Sequence, residues 1–274
     1  MVDSRRLKQS TEYAENGALD DLADLQTHLA WQILRAARPN LTLSEQDFRK
    51  QRPSIRVDAL EHYIRGLLAP NDEQKHRFFT QAARLDARFS QPCFQLGRLQ
   101  SQKKNWTVAA EWLKKVQESD PHFNEAGFLL GVAAFNLGDF KTAEASFARV
   151  AANVPLNEVL NNLGAAQSRL QNPAALESFR KALEGDTADP TYHFNVGYML
   201  WKQGQFEQAA KSFQNVLDRT PDDEQARRFL ERCQQGAQPK PADRTSAGLE
   251  RLKYEFQENA YRQLKEVLAG GKDW

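Results

Sequence analysis

Cysteine is scarce in this chain: Cys93 and Cys233 are the only two. On the repeat pattern set out below they stand about four units apart, which argues against a structural disulfide and reads both as free thiols. No apolar run approaches the roughly 20 residues needed to cross a bilayer. The start, Met1 to Arg5, lacks the apolar core of a secretion signal, so as written the chain reads as soluble and unexported. Charge of one sign is missing too, since 37 basic against 36 acidic side chains leave a net +1, which argues against nucleic acid as a ligand. With 41% hydrophobic and 27% charged residues the chain can still bury a sizeable core, unlike a disordered one. Signs of catalysis are absent as well. His28, His62, His76, His122 and His193 form no pair at metal spacing, and no glycine-rich phosphate loop or nucleophile elbow appears. Acidic pairs such as Asp222 and Asp223 sit at helix starts, where they complement the dipole. A non-enzymatic chain without cofactor or metal is expected.

What is present is a repeat. Gly97, Gly131, Gly164 and Gly197 each follow an apolar residue, at intervals of 34, 33 and 33. Twelve positions past the glycine stand Ala109, Ala143 and Ala209; sixteen past stand Leu113, Phe147 and Phe213; twenty-four past stand Pro121, Pro155 and Pro221. The third copy has lost one residue in its turn at Gln171 to Pro173, so Ala175 and Phe179 come one place early. Within each copy, apolar positions recur at helical spacing in two runs separated by a polar turn, as at Asn136 to Asp139 and Lys202 to Gln205, which predicts helix, turn, helix. A mid-helix glycine costs about 1 kcal/mol against alanine, so close helix packing must offset it. The alanines are expected to serve that contact from the second helix, and Phe147 and Phe213 to fill the gap to the next unit. One pair cannot bury both its faces, so units must stack.

These residues resemble the tetratricopeptide repeat family, with its 34-residue period and its Trp, Leu-Gly, Tyr, Ala, Phe, Pro pattern. The copy from His193 to Pro221 follows it closely, with His193 in place of the tryptophan. The resemblance implies an all-α fold, a right-handed superhelical solenoid of antiparallel helix pairs, and binding of a protein or peptide partner. The expected domains are residues 1–53, an N-terminal strand and helix segment; 54–235, the array with a degenerate first repeat, four regular repeats and a capping helix; 236–245, a linker; and 246–274, a C-terminal amphipathic helix.

Near the N-terminus, polar alternation around Leu7 to Tyr13 suggests a short strand. Leu19, Leu22, Leu25, Leu29, Ile33 and Leu34 share one face of a helix that Pro39 stops. The string from Leu19 to Ala30 looks like the last strand and helix of a TolB-like or FlgO-like domain; the plainer alternative is a capping helix. The first would make the chain the C-terminal part of a longer bacterial envelope or signalling protein, placed in the envelope if that longer protein is exported. Thr42 to Glu45 has capping-box spacing and starts a helix through Phe48. Arg49, Lys50, Arg52 and Arg56 read as a solvated loop rather than a phosphate site. In the degenerate first repeat, Leu60, Tyr63, Ile64 and Leu67 form one helix face with Gly66, and Phe78, Phe79, Ala82 and Leu85 the other.

The family resemblance implies that the first helices of successive units line a concave face. The groove-facing positions are Phe94, Phe128, Asn161 and Phe194, three before the glycine; Arg98, Val132, Ala165 and Tyr198, one after; and Ser101, Phe135, Ser168 and Trp201, four after. Of these the candidates for contact are Phe94, Phe128, Phe194, Arg98, Val132, Tyr198, Phe135 and Trp201. Such aromatics suit a peptide or partner helix, with inter-helix packing as the alternative for Phe135 and Trp201 above all. Two before the glycine stand Gln95, Leu129, Asn162 and Asn195. Amides there can bond both N–H and C=O of an extended peptide, as an asparagine ladder does in related repeat proteins, but Leu129 breaks the ladder. Phe94 and Leu129 also occupy positions where a two-carboxylate clamp needs polar groups, so a C-terminal acidic-tail ligand is not expected.

After a capping helix over 222–235, Gly236 to Asp243 reads as linker. Thr245 or Ser246 then caps a helix carrying Leu249, Leu252, Phe256, Leu264, Val267 and Leu268, with Tyr254 and Tyr261 beside them. It is too apolar to stand alone, so it folds back on the array, self-associates through 249–268, or awaits a partner. The expected function is a protein-interaction scaffold holding a peptide or helix in the concave groove. The alternative is a structural segment of a larger bacterial envelope or signalling protein.

Overall fold

The computed structural model describes residues 2–3, 8–9, 13–18, 21–40, 42–51, 55–237, 248–258 and 263. Among these the regular structure is helical, apart from two-residue strands β1 (Val2–Asp3) and β2 (Lys8–Gln9), paired antiparallel with Val2 opposite Gln9. The chain divides into two compact units, one of Met1–Leu99 with Lys115–Asp120, the other of Gln100–Lys114 with Pro121–Trp274.

The first unit contains α1 (Leu22–Ala37), α2 (Glu45–Gln51), α3 (Val57–Leu68), α4 (Asp72–Leu85) and residues 91–99 of α5 (Gln91–Gln102). The apolar face expected for α1 is only half-buried at Leu22, Leu25, Leu29, Ile33 and Leu34; the buried anchor is Trp31, whose ring centroid lies 5.7 Å from that of Phe48. Leu19 and the expected C-terminal residues Tyr261, Leu264, Val267 and Leu268 lie outside the described residues. The cap of α2 is Ser44, whose Oγ accepts from Asp47 N–H at 3.1 Å, two residues later than Thr42. It wins because its hydroxyl also bonds the Asp47 carboxylate at 2.6 Å. The helix runs on past Phe48 to Gln51. Arg49, Lys50 and Arg56 pair with Glu45, Asp47 and Asp58. In α3, Ala59 and Gly66 face inward while Ile64 and Leu67 are exposed, so the expected face is rotated toward the smaller residues.

The second unit is built of α6 (Trp106–Leu113), α7 (Phe123–Asn136), α8 (Phe140–Asn153), α9 (Asn157–Arg169), α10 (Ala175–Gly185), α11 (Pro190–Lys202), α12 (Phe206–Arg219) and α13 (Glu224–Gln234). Consecutive helices pack as neighbours, with α7 on α8, α9 on α10 and α11 on α12. Aspartates cap three of them: Asp139, Asp189 and Asp223 accept from the N–H of Thr142, Thr191 and Ala226. Each satisfies an N–H that the helix leaves orphaned. Gly138 and Gly204 end α7 and α11 at φ of +81° and +76°, where a side chain is strained. At the matching place the shortened third copy puts Gln171, at φ +57°.

One contact recurs in four of the pairs, α3–α4, α7–α8, α9–α10 and α11–α12. A Cβ on Gly66 would stand 2.5 Å from Phe79, on Gly131 2.6 Å from Phe147, and on Gly164 2.8 Å from Phe179. On Gly197 it would stand 3.1 Å from Phe213. The phenylalanines thus lie on the glycine of their own pair, correcting the expectation that they fill the gap between units. The missing side chain makes room for a ring as well as for a close helix.

Phe147 is wholly buried and has nowhere to retreat. Helix propensity favours alanine over glycine by about 1 kcal/mol, whereas overpacking costs about 1–3 kcal/mol. Gly131→Ala is therefore expected to lower the urea midpoint, and by more than Gly197→Ala, where the ring stands farther off. Equal midpoints for the two variants would dismiss the ring-on-glycine contact as the controlling one.

Candidate peptide-binding groove

Residues 250–257 of the chain lie along the first helices of the second unit, and the side chains that meet them all belong to that unit. Residues 248–257 are not helical, which corrects the expected helix over that stretch; its expected start at Thr245 or Ser246 lies outside the described residues, and Glu258 has helical geometry. Arg251 N–H donates to Asn195 Oδ1 and Asn195 Nδ2 donates to Arg251 O, both at 2.8 Å. Lys253 N–H donates to Asn162 Oδ1 at 2.8 Å, and Asn162 Nδ2 to Lys253 O at 2.7 Å. Both backbone groups of two residues two apart are held from one side, the period of an extended chain. Side-chain amides have taken the bonds a helix would use, and that overrides the apolar spacing of the segment.

Asn162 and Asn195 stand 33 residues apart, one repeat, on α9 and α11. The segment runs against the order of the array, with Arg251 on α11, Lys253 on α9 and Phe256 on α7, where its ring stacks on Phe128 at 5.2 Å. Asn161, also wholly buried, braces the ladder: it donates to Arg251 O at 2.9 Å and accepts from Asn195 Nδ2 at 2.7 Å. Leu129 supplies no third rung. Gln257 N–H instead finds Glu158 Oε1 at 2.8 Å.

Side chains of the segment have their own seats. The Arg251 guanidinium lies 3.6 Å over the Phe194 ring and donates to both oxygens of Asp223, at 2.6 and 2.9 Å, and to Gln225 at 3.0 Å. Lys253 pairs with Asp189 and lies over Tyr192 at 5.1 Å. Glu250 is buried, accepts from Ser168 Oγ, and has Lys202 Nζ at 3.8 Å; its Oε2 is without a hydrogen bond. Tyr254 stacks on Trp106, and Leu252 packs on the core cluster around Phe194. Burial alone would raise the pKa of Asp189 and Asp223. The bonds from Lys253 and Arg251, with those from the N–H groups they cap, outweigh it and hold both carboxyls below the ordinary range. Burial pushes Lys202 down, partly offset by Glu250.

The candidate residues divide accordingly. Asn162 and Asn195 form the two rungs. Phe128, Val132, Phe194, Tyr198 and Trp201 are buried; for Trp201 this is the packing alternative, and for Phe128, Phe194 and Tyr198 it corrects the expectation of an aromatic lining open to a partner. For the last three the cause is α13, whose Phe229 packs edge-on to Phe194, Tyr198 and Trp201 at 6.0, 5.5 and 4.9 Å; Phe128 is covered instead by Phe147 and Phe256, and Val132 lies in the same cluster. Phe128 and Phe194 nevertheless meet the segment, through Phe256 and Arg251. Phe135 is half-buried, edge-on to Phe140 at 5.2 Å. Phe94, Gln95 and Arg98 belong to the first unit, where Phe94 is wholly buried, Gln95 half-buried, and Arg98 exposed with its guanidinium 5.8 Å from the Phe94 ring. Sequence reasoning placed Asn161 and Ser168 at positions facing the concave side without giving them a role, passed over Glu158 and Lys202 as contacts, and took Asp223 for a helix-start acid only. Asp189 and Asp223 do cap helices, and their 34-residue spacing was the available sign of a second, shared task.

Residues 94–158 and 165–224 match the family model described as Tetratricopeptide repeat, and these stretches are such repeats. The match begins at residue 94 and says nothing of a TolB-like or FlgO-like piece. Among solved structures, MamA 41-end from Desulfovibrio magneticus RS-1 is 21% identical, with a TM-score of 0.53, over 61% of this chain and 97% of that one. A second MamA crystal structure is 16% identical, TM-score 0.51, over 68% of this chain and 99% of that one. YrrB, titled a TPR protein with an unusual peptide-binding site, is 22% identical over 57% of this chain and 81% of that one, at a TM-score of 0.49. The two MamA likenesses show the fold alone. No curated protein sequence matches the chain. Among the described residues no helix is long and apolar enough to cross a membrane.

The depressed carboxyls give docking of the segment a pH dependence. Their contribution is complete above the unfolded aspartate value of about 3.9 and is lost as pH falls through the lower folded values. Arg251→Ala is therefore expected to melt below wild type at pH 7, and the gap to close on acidification below about pH 4. Thermal melts across that range check it; a gap independent of pH would remove the Asp223 pair from the account.

Proposed function

We propose that these tetratricopeptide repeats hold a polypeptide in extended form along the concave side of the second unit, gripping its backbone through Asn162 and Asn195. One observation carries the reading: two side-chain amides each bond both the N–H and the C=O of one residue. That is recognition of main chain, whatever the side chains. The grip has direction, because reversing the chain interchanges its donors and acceptors. It also needs an occupant. Asn161, Asn162 and Asn195 are wholly buried beneath the segment; with it gone, the amide groups it serves must turn to water or to another peptide, since an unmet buried group costs about 1–3 kcal/mol. Fold and occupant together support a protein-interaction scaffold, and favour an extended strand over a docked helix.

The test cuts the chain without removing any of it. A specific protease site placed between residues 240 and 246 is cleaved after folding, and rebinding of the released C-terminal piece is followed by calorimetry. Saturable one-to-one rebinding is expected, and Asn162→Ala or Asn195→Ala should each weaken it by about tenfold, the effect of roughly 1.4 kcal/mol. A piece that does not rebind, or that rebinds equally well to both variants, would reject the backbone clamp.

A further inference from the structure

The clamp explains how any extended chain could be held; it does not explain why this segment sits in this register. Four side chains set the register, each meeting a different chemistry. Glu250 is buried against Ser168 Oγ with Lys202 close by, Arg251 is forked onto Asp223 and laid over Phe194, Lys253 pairs with Asp189, and Phe256 stacks on Phe128. A slip by one residue would turn every seated side chain to the opposite face and set acid on acid at Asp223. A slip by two would bring Lys253 to the Asp223 fork, which a point charge fills less well than a guanidinium.

We infer that the second-unit groove is selective as well as adhesive. Its partner is a protein segment carrying an ordered pattern, a carboxylate, then Arg, any residue, Lys, two residues and an aromatic ring, and this chain's own 250–256 is a built-in copy that the partner must displace. The inference rests on the backbone clamp proposed above and adds side-chain order to it. The seats are acidic where the segment is basic: Asp223 and Asp189 meet Arg251 and Lys253, while the basic Lys202 faces Glu250. Such alternation of sign discriminates by repulsion as much as by attraction. The partner is therefore basic at two fixed places and acidic at one, and an apolar helix laid in the groove would strand all three charges.

The full chain tests this with its own copy unseated. In one variant Glu250, Arg251, Lys253 and Phe256 are replaced by alanine. The probe is a fluorescent synthetic peptide with the sequence of residues 248–258, set beside a scrambled peptide of equal composition and one with alanine in place of Arg251. The unseated chain is expected to bind the native peptide at least about tenfold more tightly than the wild-type chain does, and the scrambled peptide about tenfold more weakly than the native one. Asp223→Asn keeps the helix cap and should remove the preference for arginine, so that the native and alanine peptides bind within about twofold. If the quadruple variant loses its cooperative melt, Arg251→Asp alone takes its place.

Native and scrambled peptides that bind equally, both lost in Asn162→Ala, would overturn the side-chain pattern and leave the clamp standing. A folded, unseated chain that binds neither peptide would bring down the clamp as well. A wild-type chain that sediments as a dimer and becomes monomeric when unseated would make a second copy the occupant and overturn the foreign partner.

Discussion

The ring laid on a glycine governs the rest. In α7–α8, α9–α10 and α11–α12 a phenylalanine of the second helix occupies volume that a side chain on the first helix would have filled, at Gly131, Gly164 and Gly197, the last shared with Ser212. Repeating that contact every 33 or 34 residues gives successive pairs similar geometry. It also fixes which side of the first helix is left over, because the glycine face is committed to the partner helix. Asn162 and Asn195, two positions before Gly164 and Gly197, are thereby placed alike on α9 and α11. Two residues of an extended chain advance about 6.6 Å, and the two amides serve residues two apart. A backbone clamp thus depends on packing buried on the far side of the helices that carry it.

The grip and the selection are different kinds of interaction. Each asparagine exchanges water for main chain at a net gain of about 1 kcal/mol per bond, nearly independent of the side chains held. The charged seats behave otherwise. Exposed ion pairs contribute little, but Asp223 and Asp189 are mostly covered and already fixed as helix caps, so little side-chain entropy remains to be lost when Arg251 and Lys253 arrive. Capping and recognition share one carboxylate, which preorganises the seat. Glu250 shows the opposite balance: one oxygen meets Ser168, the other is buried without a bond, and unmet buried acceptors are costly.

The repeat could be read from the sequence because its constraint is local and periodic. Glycine, alanine, phenylalanine and proline recur at fixed offsets, and each offset has a packing reason. Asn162 and Asn195 were legible for the same reason, being the same position in consecutive copies. The aromatics were harder. Phe194, Tyr198 and Trp201 carry groove positions, yet they are core because α13 lays Phe229 against all three, and no spacing within one repeat reports what a helix beyond the array will cover. Residues 249–256 misled in the other direction. Their apolar spacing is that of a helix, but helical periodicity is a weak claim on the backbone when buried amides offer its N–H and C=O groups better partners.

A built-in occupant changes what the groove can respond to. Ten residues separate Ala237, whose carbonyl accepts from Trp201 Nε1 at 3.1 Å, from Gly248 at the edge of the groove. A tether of that length sets an effective concentration on the order of millimolar. A free peptide of equal intrinsic affinity, present at about 1 μM, would then hold the groove about one part in a thousand of the time. Ordinary competition is therefore weak, and sequences that merely satisfy the asparagines are kept out. Displacement needs a segment that outdoes this one, and the position with most room for improvement is that of Glu250, where the chain's own segment leaves an oxygen unbonded. The same imperfection that weakens the internal contact leaves the groove open to a better-fitting partner.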